Sequence, residues 1–136
     1  MRNFTEALYT KAAGSTFMSS LGNRLYEDEA PEGAEFPYAV YLIPSEVKEW
    51  QFTERFRDIL LQISICSIAS SSGEIKDIYT KLLTLYDECS FSITSNRLLW
   101  FWFNNVTEMK DEFTTPTGTH GGRHYAVDFD VYLEDT

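Results

Sequence analysis

Apolar residues follow two rhythms along the chain, and the change between them marks its elements. Phe4, Leu8 and Lys11-Ala12 recur at helical spacing over residues 2–13, with Ala7 and Ala13 favouring the helix. Gly14 stops it, and Ser15 or Thr16 caps a short second turn carrying Phe17, Met18 and Leu21. This amphipathic start is read as packing on the chain's own sheet rather than docking on a partner. From Leu25 the rhythm shortens to two. Leu25-Tyr26 is a short strand, Ala30 to Glu35 is an irregular turn broken by Pro31 and Gly33, and Pro37 holds Phe36 extended. Tyr38 to Ile43 is apolar at every position, which predicts a strand covered on both faces.

The next stretch, Pro44 to Arg57, is polar with embedded Val47, Trp50, Phe52 and Phe56. Trp50 and Phe52 alternate. They make either an exposed aromatic loop for a partner or an edge strand that packs its own rings. Asp58 to Ala69 predicts a central strand, with Ile59, Leu61, Ile63 and Ile65 on one face. Ser71 and Glu74 have the spacing of a capping box for a helix over 73–89, whose stripe is Ile75, Ile78, Tyr79, Leu82, Leu85, Tyr86 and Cys89. Phe91 to Ile93 starts an extended piece, and Ser95-Asn96 turns it.

Arg97 to Val106 is dense in aromatics and reads as a strand. Strict alternation sends Leu98, Trp100 and Trp102 one way and Leu99, Phe101 and Phe103 the other. With both faces apolar, one is left for a neighbouring subunit. Thr107 to Phe113 follows as a polar arm, and Thr114 to Gly122 as a loop. Tyr125 to Glu134 closes the chain as a half-solvated strand, with Tyr125, Val127, Phe129, Val131 and Leu133 inward. The fold class this predicts is α+β: a mostly antiparallel or mixed sheet, with the N-terminal and central helices on one face.

Composition narrows the function. The 136 residues carry twenty-one acidic and eleven basic side chains, a formal charge of −10. Such a surface repels phosphate, so tight binding along a nucleic-acid backbone is not expected. One domain over 1–136 accommodates the length. Cys66 and Cys89 sit in apolar runs and read as buried free thiols. With no leader and no long apolar run, the chain is expected to be soluble, unexported and off the membrane.

Candidate chemistry is sparse. His120 and His124 flank Gly121-Gly122-Arg123 and read as a solvated hairpin turn rather than a metal site. No phosphate-binding loop, dinucleotide fingerprint or nucleophile elbow occurs. Glu27, Asp28 and Glu29 lack the alternating pattern of a calcium loop, and no apolar pocket is evident to split their pKa values. No enzyme, cofactor or metal is expected.

Several segments in order carry a resemblance. They are Gly22-Asn23-Arg24-Leu25-Tyr26, Ala30-Pro31-Glu32-Gly33-Ala34, Phe36 to Tyr41, Trp50 to Glu54, Asp58 to Ile65, the helix with Leu82-Leu83, and Tyr125 to Phe129. Together they resemble the tail completion or tail terminator proteins of siphophages and prophages, over nearly the whole chain. The resemblance implies a virion tail protein made in the host cytoplasm, forming a commonly six-fold ring at the head-proximal end of the tail tube. Such a ring ends tube growth, meets the tail tube protein and the head–tail connector, and lets DNA pass without binding it specifically. It implies no catalytic residues. A ring needs two different faces that meet head to tail, for which Trp50-Phe52 and Leu98-Trp100-Trp102 are the candidates. The carboxylates Glu27, Asp28, Glu29, Glu32 and Glu35 are candidates for a lumen or inter-ring surface. The alternative is a monomeric small-ligand domain, with Trp50, Trp100 and Trp102 lining a pocket.

Overall fold

The computed structural model describes residues 2–136. Elements run α1 (Arg2–Ala12), α2 (Thr16–Ser20), β1 (Leu25–Glu27), β2 (Tyr38–Gln51), β3 (Glu54–Ser67), α3 (Gly73–Tyr86), β4 (Asn96–Thr115) and β5 (Gly118–Asp135). The strands make one mixed sheet in the order β1-β2-β3-β5-β4. β1 and β2 are parallel, and the other three neighbouring pairs of the described strands are antiparallel. The α+β expectation, with helices on one face, holds.

Alternation explains the core. Ile59, Leu61, Ile63 and Ile65 of β3 stand directly opposite Val131, Phe129, Val127 and Tyr125 of β5. Directly paired residues share a face, and all eight are buried. Phe4 and Leu8 of α1, Phe17 and Met18 of α2, and Ile75, Ile78, Leu82 and Tyr86 of α3 close over them. Each such side chain contributes about 1.5–3 kcal/mol by leaving water. Phe101 lies at the centre, with rings of Phe4, Tyr86, Phe91 and Phe129 within 6.5 Å. The Tyr86 hydroxyl donates to the Leu8 carbonyl at 2.7 Å and ties α3 to α1. Tyr86→Phe is expected to lower stability by about 1 kcal/mol, the usual net value of one such bond. Denaturant midpoints of the two proteins check this, and an unchanged midpoint would mean that the bond contributes nothing.

Several expectations need correction. Ser71 and Glu74 form no capping box. The N-cap of α3 is Ser72, which makes no side-chain cap bond, and the Glu74 carboxylate instead accepts from the Ser67 hydroxyl at 2.7 Å. The helix stops at Tyr86, because Asp87 is extended and Glu88 is left-handed. Residues 91–93 form no strand; Ile93 makes an isolated bridge to Asn96. The segments read as a polar arm and loop, 107–122, are strand, with the hairpin turn at Pro116-Thr117. In β2, Ala39 and Tyr41 are buried, but Tyr38, Val40 and Leu42 are only half-buried, so the second face is not fully covered.

Beyond the last β3–β5 pair, Ser67 with Arg123, β4 and β5 continue as a two-stranded arm. Phe113 of this arm reaches Phe36, and Phe36 packs on Tyr38, with ring centroids about 5 Å apart in each pair. This small aromatic cluster covers one end of the second sheet face, where Cys66 is buried. Cys66 and Cys89 are both free. The Arg24 guanidinium closes the acidic loop between β1 and β2, donating to the carbonyls of Phe36 and Pro37. The Phe36–Pro37 bond is cis.

Candidate assembly surface

The other end of the second face is open. Four rings make a stack across three strands. Trp102 lies 5.0 Å from Trp100, Trp100 lies 4.3 Å from Tyr132, and Tyr132 lies 5.5 Å from Phe56, with planes within 16° at each step. Cross-strand register builds it: Trp100 is opposite Tyr132, and Tyr132 is opposite Asp58, one alternation from Phe56. Stacked rings on a sheet surface each contribute packing beyond their area. Yet Trp102 remains 50% exposed.

Carboxylates surround the stack. The Tyr132 hydroxyl donates to Glu49 at 2.7 Å, and Asn104 donates to Asp130 at 3.2 Å. Asp58 is held above the usual carboxylate range, first by desolvation and then by Asp130 and Glu49. Among the described residues no lysine or arginine pairs with Glu49, Asp58 or Asp130. The cations nearby are engaged elsewhere: Arg57 bridges Glu46 and Asp135, and Arg97 pairs with Glu134.

Leu98 does not belong to this surface. A bulge between Leu98 and Trp100 resets the alternation, so Leu98 pairs with Leu133 on the helix side and packs against the core. β4 is the sheet edge, and its outward Phe103 amide donates to the Asp87 carboxylate just past α3; a second bulge follows at Phe103/Asn105.

Trp50 and Phe52 occupy the tip of the β2–β3 hairpin. They do not share a face. Phe52 sits in the turn with φ 50° and is fully exposed. Trp50 pairs with Arg55 on the face opposite the stack, and the Arg55 guanidinium lies 4.2 Å from its ring centroid. Trp50 is 64% exposed. The three tryptophans therefore do not converge on one pocket. Of the two readings left open for this segment, the strand is present, unpaired among the described residues on its outer side beyond Tyr41, but it does not pack its two tip rings, which stay exposed.

Glu27, Asp28, Glu29, Glu32 and Glu35 are all exposed, at the end of β1 and in the loop that follows. Glu35 lies 3.7 Å from Arg24. β1 is one edge of the sheet and β4 the other, so the acidic loop and the stack stand on opposite sides of the chain. Glu27 and Asp28 line a cleft of about 420 Å³ with Arg2, Thr5 and Glu6 of α1. His124, at the end of the sheet, bonds Asp111 at 3.0 Å, and His120 bonds Thr117 at 3.1 Å within the arm. Sequence reasoning missed Phe56 and Tyr132 as members of the surface, and Asp58, Asp130 and Glu49 as its rim. The signal was present only in the strand register.

Comparison with known proteins decides the family. The profile of the family described as "Tail completion protein gp17" matches residues 4–134. The chain belongs to this family. It is thus a structural protein of the phage tail, and its place is the virion tail. No curated protein sequence matches it. Among solved structures, a chain of the "Virion of native gene transfer agent (GTA) particle" superposes with a TM-score of 0.78 at 17% identity, over 95% of this chain and 92% of that one. At that identity the likeness concerns the fold of this tail completion protein alone. Among the described residues, no helix is long and apolar enough to cross a membrane.

The tyrosines give this tail completion protein a defined alkaline response. Burial pushes Tyr38 and Tyr41 up to about 12, and the bond to Glu49 does the same for Tyr132. An unfolded tyrosine titrates near 10. Between these values the unfolded chain has lost protons that the folded chain keeps, so stability falls as pH rises. The contribution is complete below pH ~10 and is lost through pH ~12. Denaturant midpoints taken across that window are expected to fall, with tyrosinate absorbance appearing at unfolding. A flat midpoint would contradict these shifts.

Proposed function

We propose that the chain is a tail terminator. It closes the head-proximal end of the tail tube, ends polymerisation of the tube protein and presents a surface to the head–tail connector. The observation that carries this reading is the family match over residues 4–134. Residues 1–136 act as one unit, and copies meet head to tail in a ring, a hexamer. Heterologous contacts need two different surfaces on one subunit. The hairpin tip and the open aromatic face, on opposite faces of the sheet, supply such a pair. Glu27, Asp28, Glu29, Glu32 and Glu35 face the lumen or the adjoining ring, where an acidic wall lets DNA pass without holding its phosphates. The −10 charge favours this arrangement.

A phage lacking only this chain is the test. Its tails are expected to run past their normal length and to remain unjoined to heads. Tails of normal length that join heads without it would sink the reading.

A further inference from the structure

We infer that the tip of the β2–β3 hairpin of one copy docks on the Trp102–Trp100–Tyr132–Phe56 stack of the next, placing Arg55 against Asp58, Asp130 and Glu49. The contact rests on the ring reading above and specifies how the ring closes.

Two surfaces on this chain are each incomplete, and each has what the other lacks. The stack presents flat rings with a rim of three carboxylates, and among the described residues no cation pairs with any of them. Asp58, on the exposed rim, stands beside Asp130 and Glu49, an arrangement of like charges that a guanidinium relieves. The tip presents Trp50 and Phe52, the two most exposed large apolar side chains of the described residues, with Arg55 lying on Trp50. Among the described residues no carboxylate pairs with Arg55. Aromatic rings and arginine at the centre of a contact, with charges complementary across it, are what a specific interface concentrates.

Geometry makes the partner a second copy. Trp50 and Arg55 point to the opposite face of the sheet from the stack, so a chain cannot fill its own site without unpairing β2 from β3. The tip lies on the β2 side of the sheet and the two tryptophans of the stack on the β4 strand at its edge. A subunit that gives a tip on one side and receives one on the other propagates head to tail and closes when the rotation allows. Val47, exposed and opposite Asp58, widens the apolar floor.

The test uses charge reversal on the full chain, with self-association read by sedimentation velocity. Arg55 and Asp58 are both exposed, so neither change disturbs the core. Arg55→Glu and Asp58→Arg are each expected to weaken self-association about tenfold or more. An equimolar mixture of the two variants is expected to recover it, because residue 55 of each tip then meets a residue 58 of opposite charge. The double variant R55E/D58R is expected to recover it alone. A wild-type chain that never self-associates, single variants that assemble like wild type, or a mixture no better than its parts would each overturn the inference. A monomeric chain that binds tail tubes through the stack would assign the face to the tube protein instead. Rings that form as described but never sit on tail tubes would leave this contact standing and remove the terminator reading.

Discussion

Phe101→Ala is expected to remove about 3–5 kcal/mol of stability, the cost of truncating a fully buried aromatic ring. Phe101 has no exposed surface. Its ring is stacked on Tyr86 at 5.3 Å and meets Phe129 at 5.2 Å, with Phe4 and Phe91 completing the shell. It thus joins α1, α3, β4 and β5 at one point. A cavity there cannot collapse without moving all four elements, which places the cost at the upper part of the range. Total stability for a domain of this size is about 5–15 kcal/mol, so the variant is expected to be largely unfolded or strongly shifted in denaturant. Trp102→Ala, on the open face, is the contrast. That ring is half exposed, and its loss is expected to cost about 1 kcal/mol or less. A Phe101→Ala protein within about 1 kcal/mol of wild type would show that the core is not centred there.

Gly122→Val carries the second large effect. A side chain added at Gly122 would meet the Ser67 carbonyl oxygen at 2.5 Å and the Phe113 ring at 2.7 Å. The first of these is backbone and cannot rotate away. Ser67 is the last β3 residue paired with β5, so the clash falls where the two-stranded arm leaves the sheet. Overpacking of this kind costs about 1–3 kcal/mol or more, and the arm is expected to lift from Phe36 and expose Cys66. Gly121→Ala is the control, since nothing lies within 4 Å of its added carbon; its cost is expected to stay within about 1 kcal/mol. Thermal unfolding together with thiol labelling of Cys66 reads both consequences. Equal behaviour of the two variants would contradict the close approach at Gly122.

Gly122 also shows where the sequence could be read and where it could not. The strands of the core were legible because one face of each is buried, which forces alternation, as in Ile59 to Ile65 and Tyr125 to Leu133. The arm has no buried face of that kind. Its residues are held by the backbone ladder between β4 and β5, so Thr107 to Gly122 reads as polar loop and folds as strand. α1 and α3 were legible from their stripes, but the end of α3 was not. Cys89 continues the spacing, and the helix ends at Tyr86 because Asp87 leaves it to take the Phe103 amide. That amide belongs to an edge strand sixteen residues on, so no local pattern reveals the contact.

The bulges also decided how much of the candidate surface was legible. Trp100 and Trp102 share a face as alternation requires, and Leu98 does not, because one extra residue resets the count. Bulges have no signature in an apolar run. Phe56 and Tyr132 joined the surface through pairing between strands seventy-six residues apart in number, which no local pattern reveals. The acidic loop was plain from composition alone, and its exposure follows from its place at the sheet edge.

The role at the tube end is tested most directly by imaging tail tubes grown from purified tube protein with and without the chain. Ring-shaped density is expected at one end of each tube, with tubes that stop lengthening once it is bound. Tubes that keep growing at both ends, with no density from the chain at either, would contradict it.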